Sequence, residues 1–267
     1  MKIELEYNIE EPERIPPSLI KDLEIEYSSI KDIYLNSNIN KKYNNYLKGK
    51  NVILVGPSSY LENKNRGEWF DTFDVVVRLN RSYPVINTKS YGSKCDIRYH
   101  NMCQNLAQGG PFLVDQMEKD NVSFISTHFP KHLSYFHNDI KTCENELKNS
   151  KVQFHHWADL EQYLTLQMIL QTRLNLGIGA ILDLINYDFN SLHISGITFF
   201  NDGYVSDYKN RDEDLIPIYN SQKVKNHPNI DKAFNHAQKP QKQLMELIFN
   251  NDSRITLDDE VKNSLYL

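Results

Sequence analysis

The sequence is short of cysteine and has no excess of basic residues, and each shortage closes off a class of function. Three cysteines, Cys95, Cys103 and Cys143, occur in 267 residues. They form no CxxC pair and show no metal-ligand spacing, so they read as free thiols of a reducing compartment. Lysine and arginine total 30 against 35 acidic residues, a net charge of -5. That balance argues against a general nucleic-acid binder, which needs a basic face. A local basic cleft is compatible with it. No apolar run approaches the ~20 residues of a membrane span. The opening MKIELEYNIEEPERIPP is acidic and polar, unlike a signal peptide. The expectation is a cytoplasmic protein without a transmembrane segment. Neither GxGxxG nor GxxxxGK[ST] occurs, so dinucleotide-binding and P-loop chemistry are unsupported.

What is present is the composition of a soluble globular chain, 40% hydrophobic and 24% charged, long enough for a sizeable core. NVILV, a continuous apolar run, has the pattern of a central parallel strand. FDVVVRLN, CDIRYHN, VSFIST and SLHISGITFF are further strand patterns. Between them GGPFLVDQMEKD, KTCENELKN, residues 159–173 and NLGIGAILDLINYDF read as helices. Alternation of this kind predicts an α/β domain with a mainly parallel sheet flanked by helices. Residues 1–48 read as an N-terminal arm and helix, with NSNINKKYNNYLKGK a polar approach to the first strand. Residues 49–267 form the main domain. Residues 201–226 read as a polar loop, and a C-terminal helix from His227 is expected to be interrupted by Pro240.

Several stretches carry polar chemistry where a plain core would not. NVILV runs into GPSS, a turn whose Gly56, Ser58 and Ser59 suit either close packing or a phosphate or ribose. RLN puts Arg78 and Asn80 on a strand end, on one face by alternation, and YHN repeats the asparagine as Asn101. Polar residues at strand C-termini face the ligand crevice of open α/β sheets, or else satisfy neighbouring backbone. NLGIGAI supplies Asn175, Gly177 and Gly179 at a helix start, which suits an anion or close helix–sheet packing. His227 has the ring whose pKa serves base chemistry near neutrality. A lone histidine before proline in a loop is more often a surface residue, and His100, His128, His132, His137, His155 and His156 carry no stronger signal. The acidic run DED at 212–214 reads as a solvated face.

In order and spacing these pieces resemble the sialyltransferases, which transfer sialic acid from CMP-sialic acid to an acceptor sugar. The long motif of that family is matched by ILVGPSSYL, FDVVVRLN and YGSKCDIRYHN over about 50 residues. The short motif is matched by NLGIGAILDLINYDFNSLHISGITFF, whose tail is similar to the bacterial branch. The histidine motif is matched at His227 alone. The resemblance implies a Rossmann-like domain and a site for the CMP-sugar donor formed by Gly56, Ser58, Ser59, Asn80, Asn101, Asn175, Gly177 and Gly179. It further implies His227 as general base, inversion at the anomeric carbon, and no metal or other cofactor. Arg78 is expected to brace neighbouring strands. Phe200 stands where the bacterial branch has a tyrosine against the leaving phosphate, and Tyr204 or Tyr208 could supply that contact. The chain departs from the pattern at Gly177 and Ile178, where the family has serines, and at Lys232, where it has glutamate. The animal enzymes' cysteine pair has no counterpart in the pattern, and no membrane anchor is expected. The same chemistry with CMP-Kdo, an octulosonic acid sharing the C1 carboxylate, is the nearest alternative. A nucleotide-binding module without catalysis and a metal-dependent transferase using DED are the others. The resemblance implies a glycan acceptor.

Overall fold

Asn51–Val55 forms the first strand, β1, with Val52, Ile53, Leu54 and Val55 all buried. Val52 and Leu54 enter the larger core, while Ile53 and Val55 enter a smaller one. Burial on both faces is the reason the run is continuously apolar. A computed structural model describes residues 39–104, 108–129, 134–157, 160–170, 173–199, 201–202, 204–205 and 238–266.

Six further strands follow: β2 (Val75–Leu79), β3 (Ile97–Tyr99), β4 (Phe124–Thr127), β5 (Gln153–His156), β6 (Ser191–Ser195) and β7 (Ile255–Leu257). They form one sheet in the order β5-β4-β3-β2-β1-β6-β7, every neighbouring pair parallel. The chain therefore builds outward from β1 to β5, then returns to place β6 on the other side of β1. That reversal is a topological switch point, where open α/β sheets leave a crevice beyond the strand C-termini. The expected parallel α/β architecture is present, and β5 and β7 extend it at the edges.

Among the described residues the helices are α1 (Lys41–Leu47), α2 (Gly67–Asp71), α3 (Thr88–Tyr91), α4 (Val114–Lys119), α5 (Ser134–Glu146), α6 (Leu160–Leu170), α7 (Leu176–Leu184), α8 (Gln238–Asn251) and α9 (Asp259–Leu265). The polar stretch before β1 is itself helical. Asn40 caps it by accepting from the Lys42 and Tyr43 N–H groups, and Tyr43 and Leu47 are buried in the larger core. Residues 39–48 thus pack with the main domain, and residues 1–38 lie outside the described residues. Helix α4 is shorter than GGPFLVDQMEKD suggests because Leu113 is left-handed, at φ 60°. Helix α8 spans Gln238–Asn251 with Pro240 near the start of that span, and residues 227–237, where the expected helix would begin, lie outside the described residues.

A polar network crosses the larger core. Asp183, fully buried on α7, accepts from Tyr99 Oη at 2.5 Å and His155 Nε2 at 2.9 Å. His155 stacks on Tyr43 at 3.9 Å, and Tyr43 and Tyr99 share a hydrogen bond of 3.1 Å. Burial, then the Asp183 charge, pushes the Tyr99 hydroxyl well above its usual range. A removed partner would leave a buried charge uncompensated, a loss typically of ~3–5 kcal/mol. His155 is thus a core residue joining β5 to α7.

Candidate functional site

The crevice at the switch point starts from two facing glycines. Gly56 N donates to Ser195 O at 2.8 Å and Ser58 N to Gly196 O at 3.2 Å, so the β1 and β6 backbones run on side by side past the sheet. A Cβ on Gly56 would lie 2.2 Å from Gly196 O, and Gly196 itself has φ +73°. Only glycine permits such an approach. The chain beyond is then held by side chains. Ser58 Oγ pairs with Thr198 Oγ1 at 3.1 Å, and Tyr91 Oη donates to Ser58 O at 2.8 Å. Ser59 opens a short 3-10 turn, Ser59–Leu61. Tyr204 forms an antiparallel bridge with Ser58, and Val205 N donates to Pro57 O at 2.8 Å. Of the two tyrosines proposed for a leaving phosphate, Tyr204 therefore has its backbone beside the turn.

Tyr60 fixes this turn from below. Its hydroxyl accepts from Gly196 N at 2.9 Å and donates to Asp258 Oδ2 at 2.5 Å. Asp258, at the end of β7, also accepts from Ser195 Oγ, from His193 Nε2 at 3.0 Å and from Arg66 Nη1 at 2.9 Å. Burial alone would raise this carboxyl. The hydrogen bonds from His193, Ser195 and Tyr60 outweigh it, and the pKa falls to about 2. A carboxylate with this many donors stays ionised, as expected.

The asparagines stand one strand further along. Strand β2 stops at Leu79, and Asn80 opens a 3-10 turn with φ 46°. Strand alternation therefore ends before Asn80, which corrects the reading of Arg78 and Asn80 as sharing one strand face. Asn tolerates this backbone better than most residues. Asn80 Oδ1 accepts from Asn101 N at 2.9 Å, and Asn101 Oδ1 accepts from Cys103 N at 3.0 Å. The pair is braced by Arg98, whose Nε donates to Asn80 O at 3.0 Å while Nη1 and Nη2 reach the Pro111, Phe112 and Gly109 carbonyls. Arg98 was not singled out in the sequence. Its signal was a guanidinium within a buried three-residue strand, in register with Arg78.

Arg78 is fully buried, with Nε donating to Lys94 O at 2.8 Å and Nη2 to Tyr91 O at 2.6 Å. Burial holds its pKa below the usual range. Arg78 braces the segment between α3 and β3, where the expectation was a brace between the neighbouring strands themselves. His100 is also structural. Its Nε2 donates to Gly110 O at 3.0 Å and its Nδ1 accepts from Met102 N. Burial, with Arg98 nearby, pushes this ring down to about 3, so it is neutral.

Helix α7 supplies the remaining wall. Asn175 Oδ1 caps it by accepting from Ile178 N at 2.8 Å, and Asn175 N donates to Gln241 Oε1 on α8 at 2.7 Å. A Cβ on Gly177 would lie 3.1 Å from Ile197 and 3.5 Å from Leu79. The start of α7 therefore packs against the ends of β6 and β2, over the crevice. Gly179 faces elsewhere. A Cβ there would lie 2.3 Å from the His128 ring, so its glycine is required by helix–sheet packing.

The structure brings together Gly56, Ser58, Ser59, Thr198 and Tyr204, joins Asn80 to Asn101, and sets Asn175 and Gly177 against the strand ends. His227, Tyr208, Phe200, Lys232 and the acidic run 212–214 lie outside the described residues. Among the described residues no group of three or more His, Cys, Asp and Glu side chains converges as a metal site, and no helix is long and apolar enough to cross a membrane. A cavity of about 450 Å³ lined by Asn40, Phe124, Leu147, Gln153 and neighbours shares no residue with the crevice.

No family model matches the chain, and no curated protein matches it. Among solved structures it is similar to the sialyltransferase CST-II in complex with CMP, at 13% identity over 78% of this chain and 80% of that one, TM-score 0.49. It is similar to a mammalian sialyltransferase in complex with Gal-beta-1-3GalNAc-ortho-nitrophenol, at 13% identity over 92% of each chain, TM-score 0.48. It also resembles CstII from Campylobacter jejuni in complex with CMP-3FNeuAc, at 16% identity over 79% and 88%, TM-score 0.44. None of these likenesses reaches a TM-score of 0.5, and the functional reading rests on the chain's own residues.

Proposed function

We propose that the protein is a glycosyltransferase that moves a sialic acid from CMP-sialic acid to a glycan hydroxyl, with inversion and without a metal. The observation that carries this reading is the Asn80–Asn101 hydrogen bond beside the Gly56–Ser59 turn at the switch point. These are the residues through which the sequence resembles the long motif of the sialyltransferases, and in the fold they flank one crevice where open α/β sheets bind nucleotides.

The chemistry follows from the donor. CMP is a good leaving group, so the glycosidic bond breaks with little assistance and positive charge builds at the anomeric carbon, as in glycoside chemistry generally. The acceptor hydroxyl attacks from the opposite face and loses its proton to His227, whose contribution as general base is typically ~10²–10⁴-fold. Polar donors around the turn, Tyr204 among them, steady the charge that collects on the phosphate.

The test is transfer itself. The protein is incubated with a glycan acceptor panel and either CMP-sialic acid or CMP-Kdo, and products are read by mass spectrometry. Transfer from CMP-sialic acid, undiminished in EDTA, is expected. Transfer from CMP-Kdo alone would replace the donor. Tight CMP binding without transfer from either would leave a nucleotide-binding module.

A further inference from the structure

Helix α8 meets the crevice by way of Gln241, which holds Asn175, and the next residue is a lysine. Lys242 Nζ lies 3.5 Å from Asn201 Oδ1 and 5.9 Å from the Phe199 ring centroid. Asn201 and Phe199 belong to the turn that leaves β6. Asn201 N donates to Thr198 O at 3.0 Å, Phe199 is left-handed at φ 53°, and Thr198 carries the hydrogen bond to Ser58. The ammonium thus stands over the turn that faces the Gly56–Ser59 loop.

Two features of this corner are unexplained by packing. Lys242 has three N–H donors, and among the described residues its one hydrogen bond is long. Burial lowers the pKa of its ammonium, and no carboxylate of the described residues lies beside it. Asn201 Nδ2 is buried and has no hydrogen-bond partner among the described residues. A buried amide donor left unpaired costs ~1–3 kcal/mol, and a half-buried cation without an anion is likewise unfavourable. Both deficits would be met by one group, an anion with several acceptor oxygens. A phosphate has that chemistry, and an amide beside an ammonium supplies it with a neutral and a charged donor.

We propose that Lys242 and Asn201 form the phosphate subsite of the nucleotide crevice, holding the α-phosphate of CMP opposite the Gly56–Ser59 turn. This rests on the CMP reading above and adds to it the residues that distinguish a nucleotide from a nucleoside. Lys242 is a binding residue in this account, distinct from the general base.

The test compares CMP with cytidine by isothermal titration on the full chain, in the wild type and in Lys242→Met, Lys242→Arg and Asn201→Asp. The wild type is expected to prefer CMP. Lys242→Met should weaken CMP about 10- to 100-fold, the range of a charged hydrogen bond, and leave cytidine within about 2-fold. Lys242→Arg should retain most of the preference. Asn201→Asp, which gives the lysine a carboxylate of its own and repels phosphate, should erase it. A preference for CMP that survives both Lys242→Met and Asn201→Asp overturns the subsite and leaves the nucleotide reading intact. So does an equal loss of CMP and cytidine in these folded variants. A wild-type protein that binds neither ligand overturns the nucleotide reading and the subsite with it.

Discussion

Asn80 Oδ1 accepts the backbone N–H of Asn101 at 2.9 Å, tying the residue after β2 to the residue after β3. Asn80 makes that bond from a left-handed backbone at φ 46°, with Arg98 holding its carbonyl. Alanine at position 80 loses the acceptor and is strained at that φ. Asn80→Ala is expected to cost about 2–4 kcal/mol, from an unpaired N–H and the left-handed backbone together. Asn80→Asp keeps the acceptor and should cost less than half as much. Urea denaturation measures both, and CMP titration should show Asn80→Ala the weaker binder.

A second prediction concerns the two facing glycines. Gly56→Ala drives a methyl group to 2.2 Å from Gly196 O, a backbone atom of the neighbouring strand. The strands must part, and a loss of at least ~3 kcal/mol is expected, at the upper end for overpacking. Gly49→Ala is the comparison: Gly49 has a positive φ, +69°, which Gly56 does not, and nothing lies within 4 Å of the added carbon, so it isolates backbone strain from steric clash. Its cost should be roughly 1–2 kcal/mol. Equal losses in the two variants would contradict the close approach of β1 and β6.

The Asp258 anchor gives a pH dependence with a definite sign. Its carboxyl moves from 3.8 to about 2 in the folded state, so the folded protein binds that proton less readily than the unfolded chain. The stabilisation is fully present above about pH 4 and is lost as the pH falls toward 2, an effect of about 2 kcal/mol. Asp258→Asn should lower stability at neutral pH and flatten the pH–stability curve in that window. Tyr60→Phe, which removes one of the donors and frees Gly196 N, should shift acid unfolding to higher pH.

His227→Ala separates chemistry from binding. Turnover should fall by about 10²–10⁴-fold, the usual contribution of a general base, while CMP affinity stays within about 2-fold. Unchanged turnover would remove His227 from the mechanism.

The central strands were legible because two-sided burial writes itself as an unbroken apolar run, as in NVILV and VVVRL. The edges were not. Strand β5 reads QFHH and β7 only ITL, too short and too polar to carry a period. The turn and the two asparagines were legible as a candidate site through their order along the chain. Their coupling was not, because the Asn80–Asn101 bond needs a left-handed residue where alternation predicts another strand position. The Tyr60–Asp258 and Asp183–His155–Tyr99 networks join residues far apart in sequence, and no local pattern announces such partners. Gly179 shows the limit from the other side. It stands beside Asn175 and Gly177 as if to cradle an anion, yet its lost side chain makes room for the His128 ring.

The most direct test of the account is a thermal-shift panel of CMP, CDP, UDP and GDP on the full chain. A ligand bound only by the folded state stabilises it by ~2.7 kcal/mol at one hundred times its Kd, which for a domain of this size raises Tm by roughly 5 °C or more. The account predicts that CMP produces that rise and that UDP and GDP do not. A rise with UDP or GDP and none with CMP would contradict it.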